Sequence, residues 1–316
     1  MRISRDTFRD EQMRSEIDGN SIYEIGYFDD FFVELLSQFE KSPSGRPVYE
    51  IIQDDWDLFA EIDTAKTVVE YYIAKGGLDF SVDDAVNYSS DIVYKIDSWS
   101  RLKDDVRWRK RFLADYDEFS QYAYLVPEAG LKRGDKLFRA RILPNNMAKY
   151  AKREMGCPPP ELSMAGRANP AGIPYLYLCA DENTTYYEVR ATYLDRLCIG
   201  TFKIERDLKI VDFNTKVSLY LAYSDGVGVA GAIVGKLIMD EISRDMSRPM
   251  RRYDSEQEYI PTQMICEFCK LVVGADGVTF KSSVYGPGRN YVLFKKDDAK
   301  CTKVITREIN SVVISA

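Results

Sequence analysis

Two kinds of apolar spacing divide the chain. From Phe28 to about residue 110, apolar positions recur three and four residues apart. In FDDFFVELLSQFEK (Phe28–Lys41) and DTAKTVVEYYIAK (Asp63–Lys75) that spacing predicts amphipathic helices. The second opens on Asp63 as N-cap and stops at Gly76-Gly77. SVDDAVNYSSDIVYKIDSW keeps the same period and is expected to be helical too. Lys41–Pro47, KSPSGRP, stands between them as the clearest loop. Trp56, Trp99 and Trp108 all fall in this half. Residues 1–125 are therefore expected to form an all-α domain with its own core.

Past residue 120 the spacing shortens. VPEAGLKRGDKLFRARIL reads as a turn and then a strand. GIPYLYLC, LCIGTFKI, LKIVDF and NYVLF are short β-branched or aromatic runs bounded by Gly, Pro, Asn or Asp, the signature of strands. TTYYEVRATYL and the segment from Gly226 to Met246 look helical. The fold class is α+β: an all-α N-terminal domain, then a mixed α/β domain over residues 126–316.

Composition narrows the function. A net charge of −7 argues against a surface that wraps nucleic acid, which needs clustered Lys and Arg. No apolar run approaches the roughly 18–20 residues that span a bilayer, and MRISRDTFRDEQMR lacks the apolar core of a signal peptide. A cytoplasmic location is expected. Six cysteines begin only at Cys157, and Cys266-x-x-Cys269 has no second ligand pair, so it reads as buried structural thiols in a helix or strand. The chain contains no histidine. That excludes Ser-His-Asp and Cys-His nucleophile systems, His-ligated zinc and any His base. Chemistry must run on Arg, Glu, Asp, Ser, Tyr or backbone groups.

Several segments carry such groups. Gly226-x-Gly228-x-x-Gly231 matches the dinucleotide fingerprint in letters, but a charged stretch follows where a second strand should stand, so it reads as a closely packed helix. In LFRAR, period two puts Arg139 and Arg141 on one face of a strand and Phe138 on the other. Such a pair suits a phosphate, although an exposed strand edge would carry it equally well. GRANPAGIPYLYLC (Gly166–Cys179) sets Arg167 and Asn169, donors for phosphate and ribose, in a turn-rich loop ahead of a strand. Tyr175 and Tyr177 alternate along that strand and offer either core packing or a stacking surface. Glu188 follows Thr184-Thr185, a helix-start signal, and pairs either with a ligand or with Arg190. VTFKSSVYGPGRNYVLF joins Ser282, Ser283 and Asn290 through a Gly-Pro-Gly turn.

Together, LFRAR, GRANPAGIPYLYLC, YYEVRA and DGVTFKSSVYGPGRNYVLF resemble the RES domain, named for its Arg, Glu and Ser, over about residues 130–300. The resemblance implies an ADP-ribosyltransferase-like fold and the activity of RES toxins, which degrade NAD⁺. It makes Arg139 the family Arg, Glu188 the family Glu, and Ser282 or the adjacent Ser283 the family Ser. Arg167 and Tyr177 fall at substrate-lining positions, and Thr262-Gln263 matches a segment near the site. The helical N-terminus looks like HEPN/RES N-terminal domains, whose ribonuclease relatives need a histidine this chain lacks.

On that resemblance, Arg139 and Arg167 would neutralise the pyrophosphate or place inorganic phosphate. Glu188 would meet the ribose and the developing oxocarbenium charge, Tyr177 would pack on nicotinamide, and the serine would position ribose or amide. The expected activity is an NAD⁺ phosphorylase or glycohydrolase, metal-independent and without a cofactor, acting as a toxin or phage-defence effector. An antitoxin or inhibitory protein is the expected partner, with homo-oligomers also compatible. An ADP-ribosyltransferase, or a non-catalytic nucleotide sensor, are the alternatives.

Overall fold

The computed structural model describes residues 22–112, 128–214, 228–249 and 256–312, with side chains from residue 29 onward in the first segment. Gly226 of the fingerprint and the 125/126 boundary lie outside the described residues. Contacts group the chain into two units, Met1–Ser98 with Val217–Leu237 and Trp99–Lys216 with Ile238–Ala316.

In the first unit, helix α1 (Ile22–Leu36) and helix α2 (Ile62–Gly76) follow their apolar spacing. Phe32 of α1 stacks on Tyr72 of α2 with ring centroids 4.8 Å apart. Helix α2 stops as its sequence predicts: Gly77 takes φ 62°, and Leu78 N–H returns to the Ile73 carbonyl. The all-α expectation is corrected here. KSPSGRP is not a plain loop but part of strand β1 (Phe39–Pro47), and AVNY within the supposed third helix is strand β2 (Ala85–Tyr88). They pair antiparallel with a bulge in which both Lys41 and Arg46 oppose Val86. The buried Val86 and the Phe39–Tyr88 ring stack hold the ribbon, overriding the proline and the polar composition. Helix α3 (Ser90–Trp108) begins only after it.

The second unit is built on an eight-stranded sheet. Its strands are β3 (Glu128–Leu131), β4 (Lys136–Ile142), β5 (Leu176–Cys179), β6 (Arg196–Ile204), β7 (Leu208–Asp212), β8 (Gly277–Lys281), β9 (Arg289–Leu293) and β10 (Ala299–Glu308). Their order is β10-β6-β4-β5-β9-β8-β7-β3, antiparallel throughout except for the parallel β7–β8 pair. Leu137, Met155, Leu178, Phe202, Ile204, Ile210 and Leu293 form its core. Packing around Gly200 is close: a Cβ there would come within 3.1–3.3 Å of the side chains of Phe202, Cys301 and Met155 and would require them to shift. Among the described residues three further helices are α4 (Glu182–Glu188), α5 (Gly228–Ser247), whose residues to Leu237 group with the first unit, and α6 (Ile260–Leu271).

Of the three tryptophans, Trp56 and Trp99 are buried and Trp108 is exposed, so Trp108 contributes nothing to a core. Cys266 and Cys269 are buried one turn apart on α6, and burial pushes both thiols up. Among the described residues no cluster of three or more His, Cys, Asp or Glu is placed to hold a metal ion. No described helix is long and apolar enough to cross a membrane.

Candidate active site

A cavity of about 360 Å³ opens in the second unit where β4, β5, β8, β9 and α4 converge. Arg139, Arg167, Tyr177, Glu188, Ser283 and Asn290 line it, six residues spread over more than 150 positions of sequence. The sheet order explains their meeting, since β5 lies between β4 and β9.

Glu188 is the last residue of α4. That helix starts at Asp181, whose carboxylate accepts from the Thr184 N–H and hydroxyl. The cap is thus Asp181 rather than the Thr184-Thr185 pair. Glu188 Oε1 accepts from Ser282 Oγ and from Asn290 Nδ2, each at 2.7 Å. Arg190 is therefore not what fixes this carboxylate. Ser282 also accepts from the N–H groups of Val284 and Tyr285, is buried, and does not line the cavity. Ser283 does line it, so the two serines divide the position: Ser282 orients the carboxylate and Ser283 meets the cavity.

Arg139 donates to the Gly156 carbonyl at 2.9 Å, and Arg141 on the same face donates to the Glu154 carbonyl. Among the described residues Arg139 forms no ion pair. Burial pulls its guanidinium below the usual arginine range. A partly buried cation without a carboxylate, at the wall of a cavity, is a site that an anion stabilises.

Arg167 lines the same cavity but has two backbone partners, the Asp245 carbonyl at 2.8 Å and the Arg248 carbonyl at 2.6 Å at the end of α5. Burial lowers its affinity for the proton as well, opposed in part by Tyr259 and Glu188. The loop around it is locked from within. Tyr177 donates its hydroxyl proton to Asn169 Oδ1 at 2.7 Å and accepts the Ala168 N–H at 3.0 Å. Asn169 Nδ2 donates to the carbonyls of Met164 and Pro170. Gln263 clamps Gly166 and Asn169, and Thr262 bonds the Arg167 carbonyl.

Two residues stand back from the cavity. Asn169, expected as a donor to substrate, is 3% exposed, is held by these loop bonds and is not among the residues that line the cavity. Tyr175 packs on Phe294, so of the two alternating tyrosines only Tyr177 reaches the cavity, where Tyr259 and Phe280 add further rings. Arg190 also lines it and escaped notice in the sequence because Glu188, two residues earlier, offered it a ready partner. It takes φ 50°, a conformation that disfavours a side chain. Arg139, Arg167 and Arg190 thus share the cavity wall with the Glu188 carboxylate.

A family model described as the RES domain matches residues 136–312. No curated protein matches the chain. Among solved structures, the crystal structure of the M. tuberculosis MbcT–MbcA toxin–antitoxin complex aligns at 15% identity with a TM-score of 0.36, covering 60% of this chain and 91% of that chain.

Proposed function

The chain belongs to the RES domain family, and from that premise we propose that it consumes NAD⁺ by breaking the bond between nicotinamide and ribose. The observation that carries this reading is the single carboxylate, Glu188, pinned through Oε1 by Ser282 and Asn290 in a cavity that three arginines line. Arg139 and Arg167 bind the pyrophosphate. The C1′–N bond then breaks heterolytically, its electron pair leaving with neutral nicotinamide. Positive charge develops on the ribosyl ring, where the Glu188 carboxylate stabilises it and meets the ribose hydroxyls. Water or inorganic phosphate closes the reaction at C1′, giving ADP-ribose and a proton, or the 1″-phosphate of ADP-ribose.

The reading extends to a toxin-type role in the cytoplasm, with an antitoxin or inhibitory protein as partner and no cofactor. Purified protein incubated with NAD⁺, with and without phosphate, is expected to release nicotinamide, and the phosphate dependence separates the two acceptors. Glu188→Gln keeps both hydrogen-bond partners in reach but removes the charge, and is expected to lower kcat at least 100-fold. A Gln variant as fast as wild type would sink the role given to the carboxylate. Intact NAD⁺ with nucleotide still bound would favour a sensor, and label transferred from NAD⁺ to a macromolecule would favour an ADP-ribosyltransferase.

A further inference from the structure

Arg167 bonds the backbone carbonyl of Asp245 although the carboxylate of the same residue is the stronger acceptor. The reason is that this carboxylate is already occupied. Trp99 Nε1 donates to Asp245 Oδ2 at 3.0 Å, and Lys103 Nζ donates to the same oxygen at 2.9 Å. Trp99 is fully buried, and the side chains of Lys103 and Asp245 are only 16% and 23% exposed. Both donors sit on α3, ahead of the segment matched to the family. One turn on, Arg107 pairs with Glu258 at 3.0 Å, next to the cavity-lining Tyr259. These side chains close round a void of about 10 Å³ that Arg107, Arg167, Asp245 and Glu258 line together.

We propose that Trp99 and Lys103 are positioning residues for Arg167: by satisfying the Asp245 carboxylate they keep it from becoming the arginine's counter-ion. Arg167 then holds only neutral carbonyls, and its charge stays available to a bound anion. Removing Lys103 leaves a partly buried carboxylate short of a cation, beside an Arg167 that already bonds the backbone carbonyl of the same residue. The guanidinium then serves Asp245 and its hold on a phosphate group weakens.

The inference rests on the NAD⁺ reading, and a rescue experiment in the full-length chain separates the two. Lys103→Met is expected to raise KM for NAD⁺ about tenfold, the size of one charge-assisted hydrogen bond. Its kcat should stay within about twofold, because the interaction lost holds substrate and transition state alike. Adding Asp245→Asn in the same chain removes the competing charge and is expected to return KM to near wild type. Lys103→Arg keeps the cation and should behave as wild type, which guards against a general folding defect. An unchanged KM in Lys103→Met overturns the inference, as does Asp245→Asn that deepens the loss. If wild type leaves NAD⁺ intact, the reaction reading falls. The same ranking is then measured as affinity for inorganic pyrophosphate by calorimetry, where weakened and restored binding supports the inference, and equal or absent binding across the variants overturns it.

Discussion

KSPSGRP and GRANPAG have the same vocabulary: glycine, proline, small polar residues and one arginine. In the first, Arg46 is about half exposed and lies 2.7 Å from Asp55 and 3.6 Å from Asp54, which raise its hold on the proton. In the second, Arg167 makes no ion pair among the described residues, bonds only carbonyls and loses affinity for its proton through burial. One segment closes a ribbon, and the other borders a cavity. Turn composition does not separate the two roles; the group that neutralises the arginine does. A surface pair at Arg46 contributes at most about 1 kcal/mol, whereas the charge of Arg167 is held in reserve.

The contrast breaks first at the arginines. Arg167→Ala is expected to lower kcat/KM for NAD⁺ by roughly 10- to 100-fold, from the ~1.5–3 kcal/mol of hydrogen bonds to a charged group, while Arg46→Ala stays within about twofold. Equal losses in the two variants would erase the distinction. The glycines sharpen it next. A Cβ at Gly45 would lie 2.2 Å from the Val86 carbonyl oxygen, so Gly45→Ala is expected to cost about 1–3 kcal/mol in thermal or urea unfolding and leave turnover intact. A Cβ at Gly166 would press on the Tyr177 hydroxyl at 2.7 Å and Asn169 Oδ1 at 2.8 Å. Gly166→Ala should therefore lower turnover about tenfold, measured against a smaller change in unfolding.

The smallest effect is alkaline. Burial pushes the hydroxyls of Tyr177 and, in the ribbon, Tyr88 far above the ordinary value of 10.0. Because the folded state holds these protons more tightly, the stability they confer is complete below pH 10 and is lost as pH rises toward the folded-state values. Each contributes a slope of about 1.4 kcal/mol per pH unit. Unfolding measured from pH 9 to 11 should fall less steeply in Tyr177→Phe and in Tyr88→Phe than in wild type.

The cavity face of the second unit was largely legible because its strands are short apolar runs cut by turn residues, with Arg139 midway along β4, Glu188 at the end of α4 and Asn290 near the start of β9. The ribbon was not, since a bulged, proline-bearing strand has no alternation to read. The two adjacent serines could not be told apart by spacing; only the bond from Ser282 to Glu188, across 94 positions, separates them. Lys103 and Asp245, 142 positions apart, left no local trace either. Both are ordinary charged residues on helices until the fold brings them beside Arg167.

The distance along the chain between Glu188 and its two anchors has a consequence for biosynthesis. Ser282 and Asn290 emerge about 100 residues after the carboxylate they hold, roughly 5–20 s later at ordinary elongation rates. Until β9 pairs with β5, the carboxylate lacks both of its donors and the cavity lacks a wall. A nascent chain is thus expected to lack the assembled cavity until the segment through β9 has emerged from the ribosome.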